Sequence, residues 1–292
     1  MPPSPGTQFR SALAAEQPLQ IAGTINAYAA LQAKAAGFQA IYLSGAGVAN
    51  HSYGIPDIGE TTLADVLVDV QRITRRVNLP LLVDIDTGWD DPAMAVRELS
   101  AAGVAAVHME DQVSAKLCGH LPGKQLVSTK EMISRLQSAL SGKTDPAFVI
   151  MARTDAATVE GVGAAIARAR AYVTAGADMI FAEALHTLDD YRAFTTAVKV
   201  PVLANITEFG QTPYFSIGEL RHADVAMVLY PLSASRAAAA AAQNIYQTIR
   251  QHGTQKSVVD KMQTRADLYR TLDYKPHDLP LTPADDTDKR GY

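Results

Sequence analysis

The chain has 292 residues, 48% of them hydrophobic, and a formal net charge of −4 from 26 Lys and Arg against 30 Asp and Glu. That balance excludes a broad basic surface for nucleic acid, and every apolar run falls short of the ~18 residues a bilayer-spanning helix needs. Cys118 is the single cysteine, which excludes an intrachain disulfide and points to a reducing compartment, read here as the cytoplasm.

The N-terminal "MPPSPGTQFR" has no apolar segment of the secretory kind and no Arg-rich amphipathic pattern, so residues 1–8 are expected to be flexible or packed on a neighbour. From there, apolar β-type runs alternate with Ala-rich helical stretches. The runs fall at 19–25, 40–45, 79–86, 104–111, 147–155, 178–184, 200–207 and 225–231. Most are continuously apolar, as parallel strands covered on both faces are. The segments "AAGFQAIYLS", "AAGVAAVHME" and "TAGADMIFAE" repeat a pattern in which Gly37, Gly103 or Gly176 ends a helix before a strand. Their spacing is about two βα units, so the fold class is α/β, a (β/α)8 barrel forming one domain over 1–292. Residues 232–250 make the eighth helix, and 254–272 read as one further C-terminal helix. The polar, proline-containing tail 275–292 is expected to be poorly ordered or packed on a neighbour.

A parallel barrel keeps its site at the C-terminal ends of its strands, and polar residues collect at those ends: Asn26, Ser44, Asp84, Asp86, His108, Glu110, Asp111, Arg153, Thr154, Asp155, Glu183, Asn205, Thr207 and Tyr230. Asp84 and Asp86 are two apart on one strand and share a face. With Glu110 on the next strand they make an all-oxygen site that suits Mg2+, with Mn2+ also acceptable. Asp86 alone would pass as a turn cap, but Asp84 sits inside "LLVDID", where an unpaired carboxylate is costly. Arg153 needs an anionic partner, and a salt bridge to Glu183 or Asp155 is the plain reading. Arg236 and Arg265 read individually as surface ion-pair residues.

From about Gln112 to Ser128 the chain has no regular pattern, and Ser128 to Glu131 then resembles a helix start. A loop this long in a compact barrel is functional more often than not. Cys118 lies within it, flanked by Lys116, Gly119 and His120, where nearby positive charge would favour the thiolate. A thiol above a carbanion can donate a proton or, alternatively, attack as a nucleophile.

"KLCGH" resembles the K-[KR]-C-G-H signature of the isocitrate lyase/phosphoenolpyruvate mutase superfamily. "IYLSGAGVA", "LLVDIDTG", "VHMEDQ", "FVIMARTDA", "LANITEFG", "YPLSASRA" and the "GTQKS…MQTR" stretch are similar to its short branch, the 2-methylisocitrate lyases. Leu117 and Leu121 stand where that branch carries arginines, and Trp89, Ala46 and Ala182 also depart from it. The resemblance implies a Mg2+-dependent carbon–carbon lyase that splits 2-methylisocitrate into pyruvate and succinate, in propionate catabolism through the methylcitrate cycle. It implies Asp84 and Asp86 as metal ligands, with Asp57 and Glu110 helping through water. It implies substrate contacts from Ser44, Gly45, Ala46, Cys118, Gly119, Arg153, Glu183, Asn205, Ile206, Thr207, Arg236 and Arg265. Cys118, Tyr42, Glu110 and His120 are the implied catalytic residues. Tyr42, Asp57 and a metal-bound water remain alternatives for the group that takes the hydroxyl proton. The implied partners are the small tricarboxylate substrate and other copies of the chain, as a homotetramer exchanging C-terminal helices. Nucleic acid and membrane are not among them.

Overall fold

The structure, a computed structural model, describes residues 2–116, 119–120 and 123–275. Strands and helices alternate along it. The order is α1 (Pro5–Ala15), β1 (Leu19–Gly23), α2 (Ala27–Ala35), β2 (Ala40–Leu43), the single turn α3 (Gly45–Gly47), α4 (Leu63–Thr74), β3 (Leu81–Asp84), α5 (Pro92–Ala101) and β4 (Ala106–Glu110). Then come α6 (Thr129–Ser141), β5 (Val149–Thr154), α7 (Val162–Thr174), β6 (Met179–Ala182), α8 (Leu188–Val198), β7 (Val202–Asn205), α9 (Ile217–His222), β8 (Met227–Tyr230), α10 (Ser233–His252) and α11 (Arg265–Leu272). The strands close in sequence order into a parallel barrel, β8 pairing with β1. Each expected strand is present, trimmed at its ends.

The apolar runs conceal a strict alternation. Ile21, Tyr42, Leu82, Met151 and Phe181 pack together as one buried cluster, while Ile41, Val83, Val107, Ile150 and Ile180 pack in a second that includes helix residues. The first set fills the barrel and the second meets the helical layer, so both faces of each strand exclude water. The repeated glycines behave as the pattern requires. Gly37, Gly103 and Gly176 have φ of +95°, +90° and +112°, a region a side chain would strain. They end α2, α5 and α7 and turn the chain into the next strand.

Two local differences have simple causes. Residues 5–8, which composition leaves as a loose end, are the first turn of α1. Ser4 accepts a hydrogen bond from the Thr7 N–H, Pro5 opens the helix, and Phe9 is fully buried in the barrel-interior cluster. Truncating such a phenylalanine to alanine costs about 3–5 kcal/mol, so its burial is a substantial anchor for the helix. The stretch 254–272 is not one helix. A 3-10 turn covers Lys256–Lys261, Met262 is extended (φ −92°, ψ 150°), and α11 starts afresh where Thr264 caps the Asp267 N–H.

The chain divides into two compact units, Met1–Ser233 with the barrel and Ala234–Tyr292 with nearly all of α10 and α11. In the second unit Tyr269 and Tyr274 pack edge to face, 5.0 Å between ring centres. Among the described residues no helix is long and apolar enough to cross a membrane.

Candidate active site

The C-terminal ends of the strands gather buried charge. Asp84 ends β3 and is held from several sides. Its Oδ2 accepts from the Gly45 N–H at 3.1 Å and from the Tyr42 hydroxyl at 3.4 Å, and its Oδ1 accepts from the Asp86 N–H at 3.0 Å. Burial pushes this carboxyl up, but His108, Lys116, Arg153 and the Asp86 N–H outweigh it and hold the group at about 2. Burial in turn pulls the His108 imidazole down to about 4. Its Nε2 lies 2.9 Å from the Tyr42 hydroxyl. Burial, reinforced by Asp84, raises Tyr42 well above the usual phenol range.

Asp86 is different. Burial, with Asp84 and Asp57 nearby, lifts it to about 6 against the pull of Lys116. The Lys116 Nζ stands 2.5 Å from Asp86 Oδ1 and 2.7 Å from Asp57 Oδ1, although Asp86 Oδ1 has no aligned hydrogen bond. A Cβ on Gly45 would lie 3.1 Å from both Asp84 Oδ2 and Asp86 Oδ1. The missing side chain therefore lets two carboxylates face one small space.

Arg153 holds the centre of the mouth. Its Nε and Nη2 donate to Asp155 at 3.0 and 3.1 Å, Nη1 is 3.3 Å from Glu110 Oε2, and Nη2 is 3.2 Å from Glu183 Oε2. The guanidinium also lies over Phe181, 5.1 Å from the ring centre. Both plain partners expected for Arg153 are thus present, with Glu110 as a third. Burial holds Glu110 well above the usual carboxyl range despite Arg153 and Lys116, and its Oε1 has no hydrogen-bond partner among the described residues. Glu183 is also pushed up by burial, but Arg153, His120 and Lys124 together hold it well below the usual range.

The loop after β4 is closed at its base. Gln112 bridges Leu126, Val113 N–H donates to Gln125, and Val127 N–H donates to Asp111. Ser128 caps α6 by accepting from the Glu131 N–H, as its sequence indicates. His120 Nδ1 accepts from the Gln211 N–H at 3.0 Å, so the proton sits on Nε2, 3.0 Å from Glu183 Oε1. Asn205 also donates to both oxygens of Glu183, at 3.3 Å each. Lys124 Nζ reaches the Gly119 carbonyl at 2.5 Å and Asp155 Oδ1 at 3.1 Å. Gly119 lies directly against Arg153 and Glu183.

The fold thus brings together Tyr42, Ser44, Gly45, Asp57, Asp84, Asp86, Glu110, Gly119, His120, Arg153, Glu183 and Asn205. Ala46 lies in α3, and Ile206 and Thr207 are buried just past β7. Cys118, Leu117 and Leu121 lie outside the described residues. Arg236 and Arg265 belong to the second unit. The two positive neighbours expected to activate the thiol, Lys116 and His120, are each engaged by carboxylates. Sequence reasoning placed His108 at a strand end without giving it a role, and it passed over Lys124 and Gln211. A histidine inside the apolar run "AAVHMED" was the one available signal.

The donors fit a hard divalent cation. Oxygen lines the space beside Gly45, a buried Glu110 oxygen lacks a partner, and a cationic side chain already sits on Asp57 and Asp86. Among the described residues no three Asp, Glu, His or Cys side chains form a ready-made metal cage. A Mg2+ site does not require such a cage, since the ion keeps several waters and takes only one or two carboxylates directly.

A closed parallel barrel whose acids and arginine meet at the strand ends defines a (β/α)8 enzyme. The chain belongs to the phosphoenolpyruvate phosphomutase family, whose model matches residues 9–250. A 2-methylisocitrate lyase of Shewanella oneidensis is 59% identical over 94% of this chain and 95% of its own length. One of Escherichia coli is 58% identical over 95% of both. Among solved structures, a 2,3-dimethylmalate lyase superposes with TM-score 0.85 at 32% identity, covering 92% of each chain. A phosphonopyruvate hydrolase in complex with oxalate and Mg2+ gives 0.79 at 26%, covering 93% of this chain and 95% of its own.

Proposed function

We propose that this chain is a Mg2+-dependent carbon–carbon lyase that cleaves 2-methylisocitrate to pyruvate and succinate. The near full-length 58–59% identity to 2-methylisocitrate lyases carries the substrate assignment. The dimethylmalate lyase is much more distant at 32%. The reaction belongs to propionate catabolism by way of the methylcitrate cycle.

Asp84 and Asp86 would hold the cation, with Asp57 and Glu110 reaching it through water. When bound, the cation supplies charge stabilisation for the substrate's hydroxy-carboxylate end. The remaining work falls to side chains. Ser44, Gly45 and Ala46 would receive one carboxylate, and Asn205, Ile206, Thr207 and Gly119 a second. Arg153 faces the substrate while Asp155 fixes its plane, and Glu183 keeps His120 and Asn205 oriented. Arg236 and Arg265 are further carboxylate partners, for which bidentate guanidinium contacts are well suited.

Loss of the hydroxyl proton lets the C2–C3 bond break. Its electron pair goes to the succinate fragment as an enediolate, and Cys118 returns a proton to carbon. Burial and Asp84 hold Tyr42 protonated, which suits it to donating a hydrogen bond. Of the candidates for the hydroxyl proton, Asp57 and water are then the better bases. Phe181 and Leu232 are apolar side chains for the extra methyl group. Such a group is worth about 1–3 kcal/mol, so weak isocitrate cleavage is allowed. The chain is further proposed to act in the cytoplasm as a homotetramer.

The test is a substrate panel of 2-methylisocitrate, isocitrate, 2,3-dimethylmalate and oxaloacetate, with EDTA and with Mg2+. The highest kcat/KM is expected for 2-methylisocitrate, and only with the metal. Equal or better kcat/KM for isocitrate, or full turnover in EDTA, overturns the reading.

A further inference from the structure

Lys116 is 4% exposed. Burying an ammonium is costly unless its partners are close, and here they are Asp57 and Asp86. Both carboxylates are among those proposed above to hold the divalent cation, directly or through water.

The geometry makes the two cations alternatives. Asp86 Oδ1 stands 2.5 Å from the Lys116 Nζ and also faces the space beside Gly45. A Mg2+ ion needs such an oxygen at about 2.0–2.1 Å and brings its own waters. An ammonium and a hydrated divalent ion cannot both crowd that oxygen, and their charges repel. The segment carrying Lys116 can yield without opening the barrel. Ser114 and Ala115 are exposed, and the loop's base is held separately by the Val113 and Val127 hydrogen bonds.

We propose that Lys116 is an internal stand-in for the divalent cation. Its ammonium neutralises Asp57 and Asp86 while the metal is absent and is displaced when the metal binds. Metal affinity is then set by competition with the chain's own side chain. Lys116 acts here as a positioning residue. The inference rests on the metal site proposed above.

The experiment titrates Mn2+ alone, without substrate, into the full chain and reads free Mn2+ by electron paramagnetic resonance. Lys116→Met is compared with wild type, Lys116→Gln provides a second variant that keeps polarity, and Asp86→Asn reports the site itself. Both lysine variants are expected to bind Mn2+ about tenfold more tightly or better, since a competing ligand is gone. In EDTA they melt below wild type, because two carboxylates lose their counter-ion. At saturating Mg2+ that deficit shrinks or reverses. A residue of merely structural value would not raise metal affinity. Unchanged or weaker Mn2+ binding in both lysine variants, with binding lost in Asp86→Asn, overturns the displacement alone. Wild-type Mn2+ affinity in Asp86→Asn overturns the metal site and this inference together.

Discussion

Gly119→Ala offers a sharp test of the loop's place in the chemistry. Gly119 does not lie in the left-handed region, so alanine meets no backbone penalty there and the cost is steric. A Cβ at this position would lie 2.7 and 2.8 Å from Glu183 Cγ and Cδ, and nearer still to Arg153 Nη2. Real Cβ atoms essentially never approach within 3.0 Å. Arg153 cannot give way, because Asp155, Glu110 and Glu183 grip its guanidinium from three sides. The loop must therefore retreat by several tenths of an ångström to about 1 Å, pulling the Gly119 carbonyl from Lys124. Misplacement of about 1 Å can cost about 10²-fold in rate. Steady-state kinetics on 2-methylisocitrate should show kcat down about 10²-fold. The melting temperature should move little, because no core volume changes. Wild-type kcat in this variant would refute the reasoning, as would loss of activity accompanied by collapse of the melting transition.

Two further predictions address the thiol and the scaffold beneath the site. Cys118→Ser should lower turnover by about 10²–10⁴-fold, the usual range for losing a general acid, while Mn2+ binding persists; trapping a covalent thiol adduct during turnover would instead make the cysteine a nucleophile. Tyr172→Phe removes one of the hydrogen bonds that satisfy buried Asp111, which also accepts from Thr154 and the Asp155 N–H. Urea unfolding should show a loss of about 1.5–3 kcal/mol, the range for a hydrogen bond to a charged group, and a loss under 0.5 would mean that water replaces the phenol.

What the sequence made legible follows from what is local. Strands of a parallel barrel are apolar on both faces, so runs such as "AFVIMARTD" announce themselves even though Ile150 and Met151 belong to different clusters. Helix ends were readable because Gly37, Gly103 and Gly176 occupy φ values that favour glycine. Asp84 was readable because a carboxylate inside an apolar run demands a reason. The fate of Lys116 was not readable. Its carboxylate partners come from the segment after β2 and the end of β3, and only closure of the barrel brings them to one point. Lys124 was hidden for the same reason, since Asp155 lies 31 residues away. The break at Met262 was missed because 254–272 is helix-forming on both sides of it. Thr264 is a strong cap whose effect outweighs continuity.

The charges at the barrel mouth carry one more consequence. Carboxylates of Asp57, Asp84, Asp86, Glu110, Asp155 and Glu183 share it with the cations of Lys116, Lys124 and Arg153. Burial favours the protonated form of Glu110. With that proton in place, five negative groups still face three positive ones, an excess of two. A tricarboxylate approaching such a mouth is repelled, and the repulsion is strong because the groups are buried and poorly screened. A divalent cation that displaces Lys116 puts two charges where one stood and lowers the excess from two to one. The electrostatics therefore favour metal before substrate. They also give a reason for keeping a lysine within the acidic pocket: without any cation on Asp57 and Asp86, the excess would rise to three and the empty mouth would destabilise the barrel that holds it.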